Sequence, residues 1–378
     1  MKPRQLHRLP QLRAILHGLF GFSLLAVLAA GILLSLAAML TSDQPPTAPI
    51  LPVHDSSRLL DGRAAAEFQH ELEQSIALRE PAVGFWGGIR YAVFREGLAG
   101  VAVGSDDWLF SAEEFVARAS AQQEAEGVKQ AVQYISQVQQ QLSGYDAALL
   151  IVPIPAKARV YSEQLGRYTF PSAAVQRYNL LLESLQQHEI SAVDVLTRLQ
   201  QLKASGEKVF LRTDTHWTPA GAAAVAASAA DHIRSSSVYS SIQQREYTVH
   251  TGSPAEYHGD LLNFIPLGPF RGRLAPHPDT IPEIQLMAGP APAVGLFDIS
   301  AVPVVLIGTS YSAGEQWGFA AYLQEQLQAE VLNLAQDGRG PYQPMQEYLS
   351  GETLQQAPPQ VVIWEIPERY LVLEPPPQ

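Results

Sequence analysis

The 378-residue sequence contains no cysteine. Disulfides, a thiolate zinc site and a cysteine nucleophile are therefore all excluded, and the redox compartment is left open. Charge is sparse as well: 16% of residues are Asp, Glu, Lys or Arg, and the 37 acids outnumber the 25 bases. That balance argues against nucleic acid and anionic membrane surfaces as partners. Several motifs are also missing. There is no H-E-x-x-H pair for zinc, no G-x-S-x-G elbow, no phosphate-loop lysine and no complete dinucleotide fingerprint. No internal repeat is visible. With 47% hydrophobic residues, the composition is that of an ordinary globular protein, long enough for one large core or two smaller ones.

One long uncharged run is present. Gly18 to Leu40 is 23 residues without an ionisable side chain, about 35 Å of helix and enough to cross a bilayer. Lys2, Arg4, Arg8 and Arg13 precede it, and no acid appears before Asp43. The positive-inside rule then predicts a cytoplasmic N-terminus over 1–17, an uncleaved transmembrane anchor over 18–40 and export of everything after it. Residues 41–57, rich in Pro, Ser and Thr, read as a linker to a domain over 58–378. Without the four N-terminal bases, 21 bases face 37 acids, a net charge of −16.

Helical patterns follow in RAAAEFQHELEQSIALRE and in AQQEAEGVKQAVQYISQVQQQL, where Val128, Ala131, Val132, Ile135 and Val138 share one face. Between them, GVAVGSDDWLF reads as a hairpin. Strand and helix patterns then alternate: AALLIVPIP, RYNLLLESLQQ, SAVDVL, KVFLR, AGAAAVAASAADHI, VPVVLIG, GFAAYLQEQLQ, EVLNL and VVIWEI. This rhythm predicts an α/β fold, a mostly parallel sheet with helices on both faces. Residues 238–300, rich in Pro, Gly and His, break the pattern and are expected to form an insertion or lid.

Two segments carry candidate chemistry. In VPVVLIGTSYSAGEQWGF an apolar strand ends at Gly308, a sharp turn holds Thr309 and Ser310, and a helix follows. Ser310 is thus expected just beyond the carboxyl end of a parallel strand, where open α/β sheets bind ligands and a helix start offers free N–H groups. In FLRTDTHWTPAG, KVFLR reads as a strand, DTHW as a turn, and Thr218-Pro219 as the start of a helix. Asp214 and His216 are then expected at the same sheet edge as Ser310. A serine becomes a nucleophile when a histidine takes its proton, and a carboxylate fixes that histidine's tautomer. Read singly, a serine here is a helix cap and a D-x-H is a loop end; read together they are a triad. A competing zinc set of Asp214, His216, His250 and His258 lacks a fixed-spacing pair, so no metal or cofactor is expected.

With these residues in view, the chain resembles the alginate O-acetyltransferases of the AlgJ/AlgX type. The matching pieces are GVAVGSDDWLF, IVPIPAKARVY, LRTDTHWTPAG, the GDL of HGDLLNF, IGTSYS, the GPYQPMQEYL run and WEIPERYL, from about 57 to 373. The resemblance implies an SGNH-hydrolase-like domain that acetylates exopolysaccharides, with Ser310 as nucleophile, His216 as base and Asp214 as its orienting acid. Because Asp214 and His216 precede the serine, it also implies a circularly permuted sheet. The usual SGNH asparagine motif is not recognisable; Tyr342, with Tyr311 beside the serine, is the candidate substrate contact. A bacterial inner-membrane location with a periplasmic catalytic domain is implied, along with a membrane-bound O-acyltransferase partner, polysaccharide assembly proteins and a polysaccharide acceptor, alginate-like or cellulose-like. Two rivals keep the same residues: an esterase or deacetylase with water as acceptor, and a non-catalytic scaffold.

Overall fold

The structure is a computed structural model that describes residues 79–290 and 302–373, together with Ala29, Ala30 and Leu33. The contacts divide the chain into two compact units, 1–90 with 266–274, and 91–265 with 275–378. In the first, Phe85, on the part of helix α1 (Arg79–Phe94) that precedes residue 91, packs against the ring of Phe270. The helical pattern over 63–80 lies outside the described residues apart from its last two positions.

The second unit is built on a five-stranded parallel sheet. Its strands are β3 (Ala148–Ile154), β4 (Ser191–Ala192), β7 (Val304–Ile307), β8 (Val331–Asn333) and β9 (Val361–Pro367), in the spatial order β4-β3-β9-β7-β8. Among the described residues two antiparallel pairs complete the strands: β1 (Val101–Val103) with β2 (Leu109–Ser111), and β5 (Tyr247–Tyr257) with β6 (Asp279–Ala288). The first is the hairpin expected from GVAVGSDDWLF; the second occupies the Pro- and Gly-rich stretch 238–300.

Alternation along the strands explains the layers. Leu150, Val152, Ile154, Val304, Leu306 and Ile363 face one cluster, shared with helices α4 (Val195–Ala204), α5 (Pro219–Ser235) and α6 (Phe319–Leu327). Their neighbours Leu149, Ile151, Val305, Ile307, Val362 and Trp364 face the other, with helices α2 (Ala121–Ser143), α3 (Arg177–Gln187) and α7 (Tyr342–Ser350). A period of two on strands that are apolar at every position requires helices on both faces. Val128, Ala131, Val132, Ile135 and Val138 are the buried stripe of α2, as their spacing predicts. Ser120 caps that helix by accepting from Gln123 N at 3.2 Å, and Thr218 caps α5 by accepting from Gly221 N at 3.0 Å.

Two expectations are corrected. KVFLR does not join the sheet. Phe210 and Trp217 form an isolated antiparallel bridge, with Leu211 N donating to His216 O at 3.0 Å and Thr218 N to Val209 O at 3.1 Å. Val209, Phe210 and Leu211 are buried as strand residues would be, but their backbone bonds close a tight loop of their own. The single-pass inner-membrane location is also overturned: among the described residues no helix is long and apolar enough to cross a membrane. Of 18–40, only Ala29, Ala30 and Leu33 are described, so the expected anchor and the 41–57 linker lie outside those residues.

Candidate active site

Ser310 opens a helical turn, Ser310–Ala313, directly after β7. Thr309 caps the turn, and Gly308 makes it possible. A Cβ at position 308 would lie 2.4 Å from Glu365 Oε2 and 2.9 Å from Glu365 Cβ, closer than atoms can pack. Glu365, fully buried on β9, accepts from Thr309 N at 2.7 Å and from the hydroxyls of Thr309 and Ser312 at 3.0 and 3.1 Å. The carboxylate thus ties the serine turn to the central strand. Burial pushes it up to about 7.

The loop bearing Asp214 and His216 has no regular structure beyond the bridge at its base, yet its backbone groups are bonded. Arg212 N and Thr213 N donate to the two oxygens of Asp279 at 3.0 and 2.9 Å, and Thr215 N donates to Asp260 Oδ1 at 2.8 Å. His216 N donates to Asp214 Oδ1 at 2.8 Å. On the acceptor side, the Lys157 ammonium donates to the carbonyls of Arg212 and Asp214 at 3.0 and 2.8 Å, and Tyr311 Oη donates to Thr215 O at 2.7 Å. Buried backbone groups must be paired, and here side chains from four other segments pair them. Gly259 packs so close that a Cβ there would lie 2.1 Å from Thr213 O.

On this loop His216 Nδ1 lies 2.6 Å from Asp214 Oδ1, and its Nε2 lies 2.7 Å from Ser310 Oγ. With Nδ1 protonated toward the carboxylate, Nε2 is left to accept the serine proton. Asp214 Oδ2 accepts from Tyr257 Oη at 3.1 Å and from Asp260 N at 2.8 Å. Burial pushes the Asp214 carboxyl up, but its bonds from His216 and the backbone N–H of Asp260 outweigh that and bring it down to about 2. Asp260 moves the other way, raised by burial and by the Asp214 charge. The same two causes raise the Tyr257 phenol, which stays a donor. Trp317 stacks on the His216 ring, centroids 5.0 Å apart and planes 20° apart.

These groups line a cavity of about 710 Å³ that includes Tyr257, Asp260, Trp317 and Arg369 beside Asp214, His216 and Ser310. The three sequence-predicted residues come together; the two tyrosines take other places. Tyr311 is buried with its ring 4.8 Å from that of His216, so it supports the loop from behind. Tyr342 packs between Tyr134 and Trp364 in the core on the α7 side and is not among the cavity's lining residues. Asp214, His216 and Asp260 each place an atom within 4.8 Å of the others, as a cation would need. Both ring nitrogens of His216 and both oxygens of Asp214 are already committed, so the donor set does not fit an ion. His250 and His258 are exposed and line no part of the cavity.

Residues 101–368 match the family described as SGNH hydrolase-like domain, acetyltransferase AlgX. The chain belongs to that family. It is 37% identical over 321 residues to a protein of Pseudomonas putida named "Probable alginate O-acetylase AlgJ", covering 84% of this chain and 82% of the relative. A protein of the same name from Pseudomonas aeruginosa is 35% identical, covering 83% and 81%. Among solved structures, the O-acetyltransferase domain of Pseudomonas putida AlgJ superposes with a TM-score of 0.64 at 38% identity, covering 73% of this chain and 94% of that one. The SGNH-hydrolase-like α/β fold with a parallel sheet is thereby established. Sequence reasoning did not single out Tyr257, Asp260, Trp317 or Arg369, although GDL and WEIPERYL were among its matching pieces.

Proposed function

We propose that the protein is a polysaccharide O-acetyltransferase that works through an acetyl-serine. The hydrogen-bonded chain from Asp214 through His216 to Ser310 carries this reading, and membership of an acetyltransferase family gives it its acyl group. In the first half, Ser310 Oγ attacks the donor's acetyl carbonyl as His216 Nε2 takes its proton. The tetrahedral intermediate collapses, the donor's leaving oxygen departs with that proton, and acetyl-Ser310 remains. In the second half, a sugar hydroxyl attacks the acetyl-serine while His216 takes its proton. That proton returns to Ser310 Oγ, releasing the acetylated sugar. Asp214 holds the imidazole in the productive tautomer and stabilises the imidazolium in both halves.

The relatives' names favour an alginate-type acceptor, and the family resemblance favours a membrane-bound O-acyltransferase as the partner that supplies the acetyl group. The chain order, with His216 ahead of Ser310 and the last strand β9 in mid-sheet, is what a circularly permuted SGNH domain would have. The test is intact-mass and peptide mass spectrometry after exposure to an activated acetyl ester, with and without oligosaccharide. Acetylation at Ser310, discharged onto the sugar, is expected. Acetate release that never yields acetylated sugar would replace the transferase with an esterase, and polysaccharide acetylation that stays intact in cells carrying Ser310→Ala would leave a scaffold.

A further inference from the structure

The cavity at Ser310 is acidic in its walls, to which Glu113, Asp214, Asp260 and Asp337 contribute. Among the described residues that line it, Arg369 is the one Lys or Arg. It sits on the turn Glu368–Val372 that follows β9, with its side chain 8% exposed. The guanidinium carbon lies 5.5 Å from the ring centroid of Tyr311 and 5.0 Å from that of Tyr370, so two aromatic faces hold it at the cavity wall. Its ion pair is with Glu113, Nε to Oε2 at 3.2 Å, and the Glu113 side chain is 68% exposed. The alignment of that pair is poor: Nε is buried without a hydrogen-bond partner among the described residues.

A guanidinium has five N–H donors in a planar fork, and burying donors unspent is costly. One bland account is charge balance, since Arg369 lowers the buried carboxyls of Glu114 and Glu365 through space. That account leaves the unbonded Nε and the opening to the cavity unexplained. The wall acids nearest the reacting atoms are otherwise engaged: Asp214 with His216, Tyr257 and Asp260 N, and Asp260 with Thr215 N. A cation with spare donors, loosely held by an exposed carboxylate beside a nucleophile, is suited to exchange that carboxylate for one on the substrate.

Resting on the acetyl-transfer reading, we infer that Arg369 selects the acceptor: its guanidinium takes the carboxylate of a uronic acid unit, displacing Glu113, and so sets the sugar hydroxyl at acetyl-Ser310. The preference of this site for an acidic over a neutral sugar then rests on one side chain.

The full chain, with p-nitrophenyl acetate as donor, is assayed with a uronate oligosaccharide and with a neutral cello-oligosaccharide. Arg369→Gln is expected to reduce the preference for the uronate in kcat/KM by about tenfold or more, as loss of a charge-assisted pair should, chiefly through KM. Arg369→Lys should recover part of it. Glu113→Gln, a change at an exposed side chain, should raise the preference by freeing the guanidinium. Equal losses on both acceptors in Arg369→Gln, or a lowered or unchanged preference in Glu113→Gln, would overturn the assignment. If wild-type protein acetylates neither sugar, the transferase reading fails on its own. Calorimetric binding of the uronate to Ser310→Ala, with and without Arg369→Gln, then decides Arg369: affinity about tenfold weaker in the double variant supports it, and equal affinity overturns it.

Discussion

Lys157 donates from its ammonium to the backbone carbonyl of Asp214 at 2.8 Å, and its other two protons go to the carbonyls of Leu109 at 2.6 Å and Arg212 at 3.0 Å. All three donors of a fully buried cation are therefore spent on main chain. The lysine fastens the loop of Asp214 and His216 to the end of β2. A buried charge so fully solvated by carbonyls is tolerable; the carbonyls without it are not.

Lys157→Met fills the volume but strips the carbonyls of Leu109 and Asp214 of their lysine bonds, while Arg212 O keeps its bond from Leu109 N at 2.9 Å. We expect a loss of about 3 to 5 kcal/mol, read as a lowered urea midpoint with little change in slope. A midpoint within error of the parent would show that the three bonds do not hold the loop.

Asp214→Asn keeps the shape of the acid but removes its charge and lets the amide donate toward Nδ1, favouring the wrong tautomer. Turnover should fall by about 10³-fold or more. The same carboxylate gives a stability signal. Its folded value is depressed, so its contribution is complete above the unfolded value near 4 and is lost as pH falls toward about 2. Wild-type stability should therefore drop over that window by about 2 kcal/mol more than that of Asp214→Asn. Parallel acid-unfolding curves for the two proteins would refute the assignment of this charge.

Glu365 has the opposite sign. Its folded value is raised to about 7 by burial, so the stability linked to its protonated form is complete below the unfolded value near 4.5 and disappears as pH rises through 7. Glu365→Gln, which cannot ionise, should flatten the decline between pH 5 and 8 by an amount on the order of 3 kcal/mol. Glu114, also raised to about 7 by burial, supplies a decline of its own that this variant retains. Denaturant titrations at the two pH values make the comparison; an undiminished slope would mean that Glu365 does not titrate there.

What could be read from the chain beforehand follows the range of each interaction. β7 and the turn to Ser310 are local, and the apolar run before Gly308 announces both. Asp214 and His216 are adjacent on one loop, so their pairing is visible in D-x-H. KVFLR misleads because Val209 and Phe210 are buried like strand residues, while their hydrogen bonds turn back onto Trp217 and Thr218. Asp279 and Glu365 act 66 and 56 residues from their partners, and no spacing rule reaches so far. A charged residue inside the apolar run VVIWEI was the visible trace of Glu365. Tyr342 was misplaced because GPYQ starts α7, whose first turn faces the core.

Trp317 completes the setting of the base. Its indole is 1% exposed, lies nearly parallel to the His216 ring and forms part of the cavity wall. Gly314 lets it in, since a Cβ there would sit 2.4 Å from Trp317 Nε1. Among the described residues the indole Nε1 has no hydrogen-bond partner, so what the residue offers is a flat face rather than a donor. His216 is held in its plane by the Asp214 bond at one edge and by this face on one side. Trp317→Leu keeps much of the apolar volume but removes the face, and the ring gains freedom to tilt away from Ser310. Small misplacements of a reacting group can cost about 10²-fold, so kcat should fall by about 10- to 100-fold in Trp317→Leu. Trp317→Phe, which retains a ring, should lose much less. Single-turnover acetylation of Ser310 isolates the step. Equal rates in the Leu and Phe variants would show that the tryptophan fills space without orienting the base.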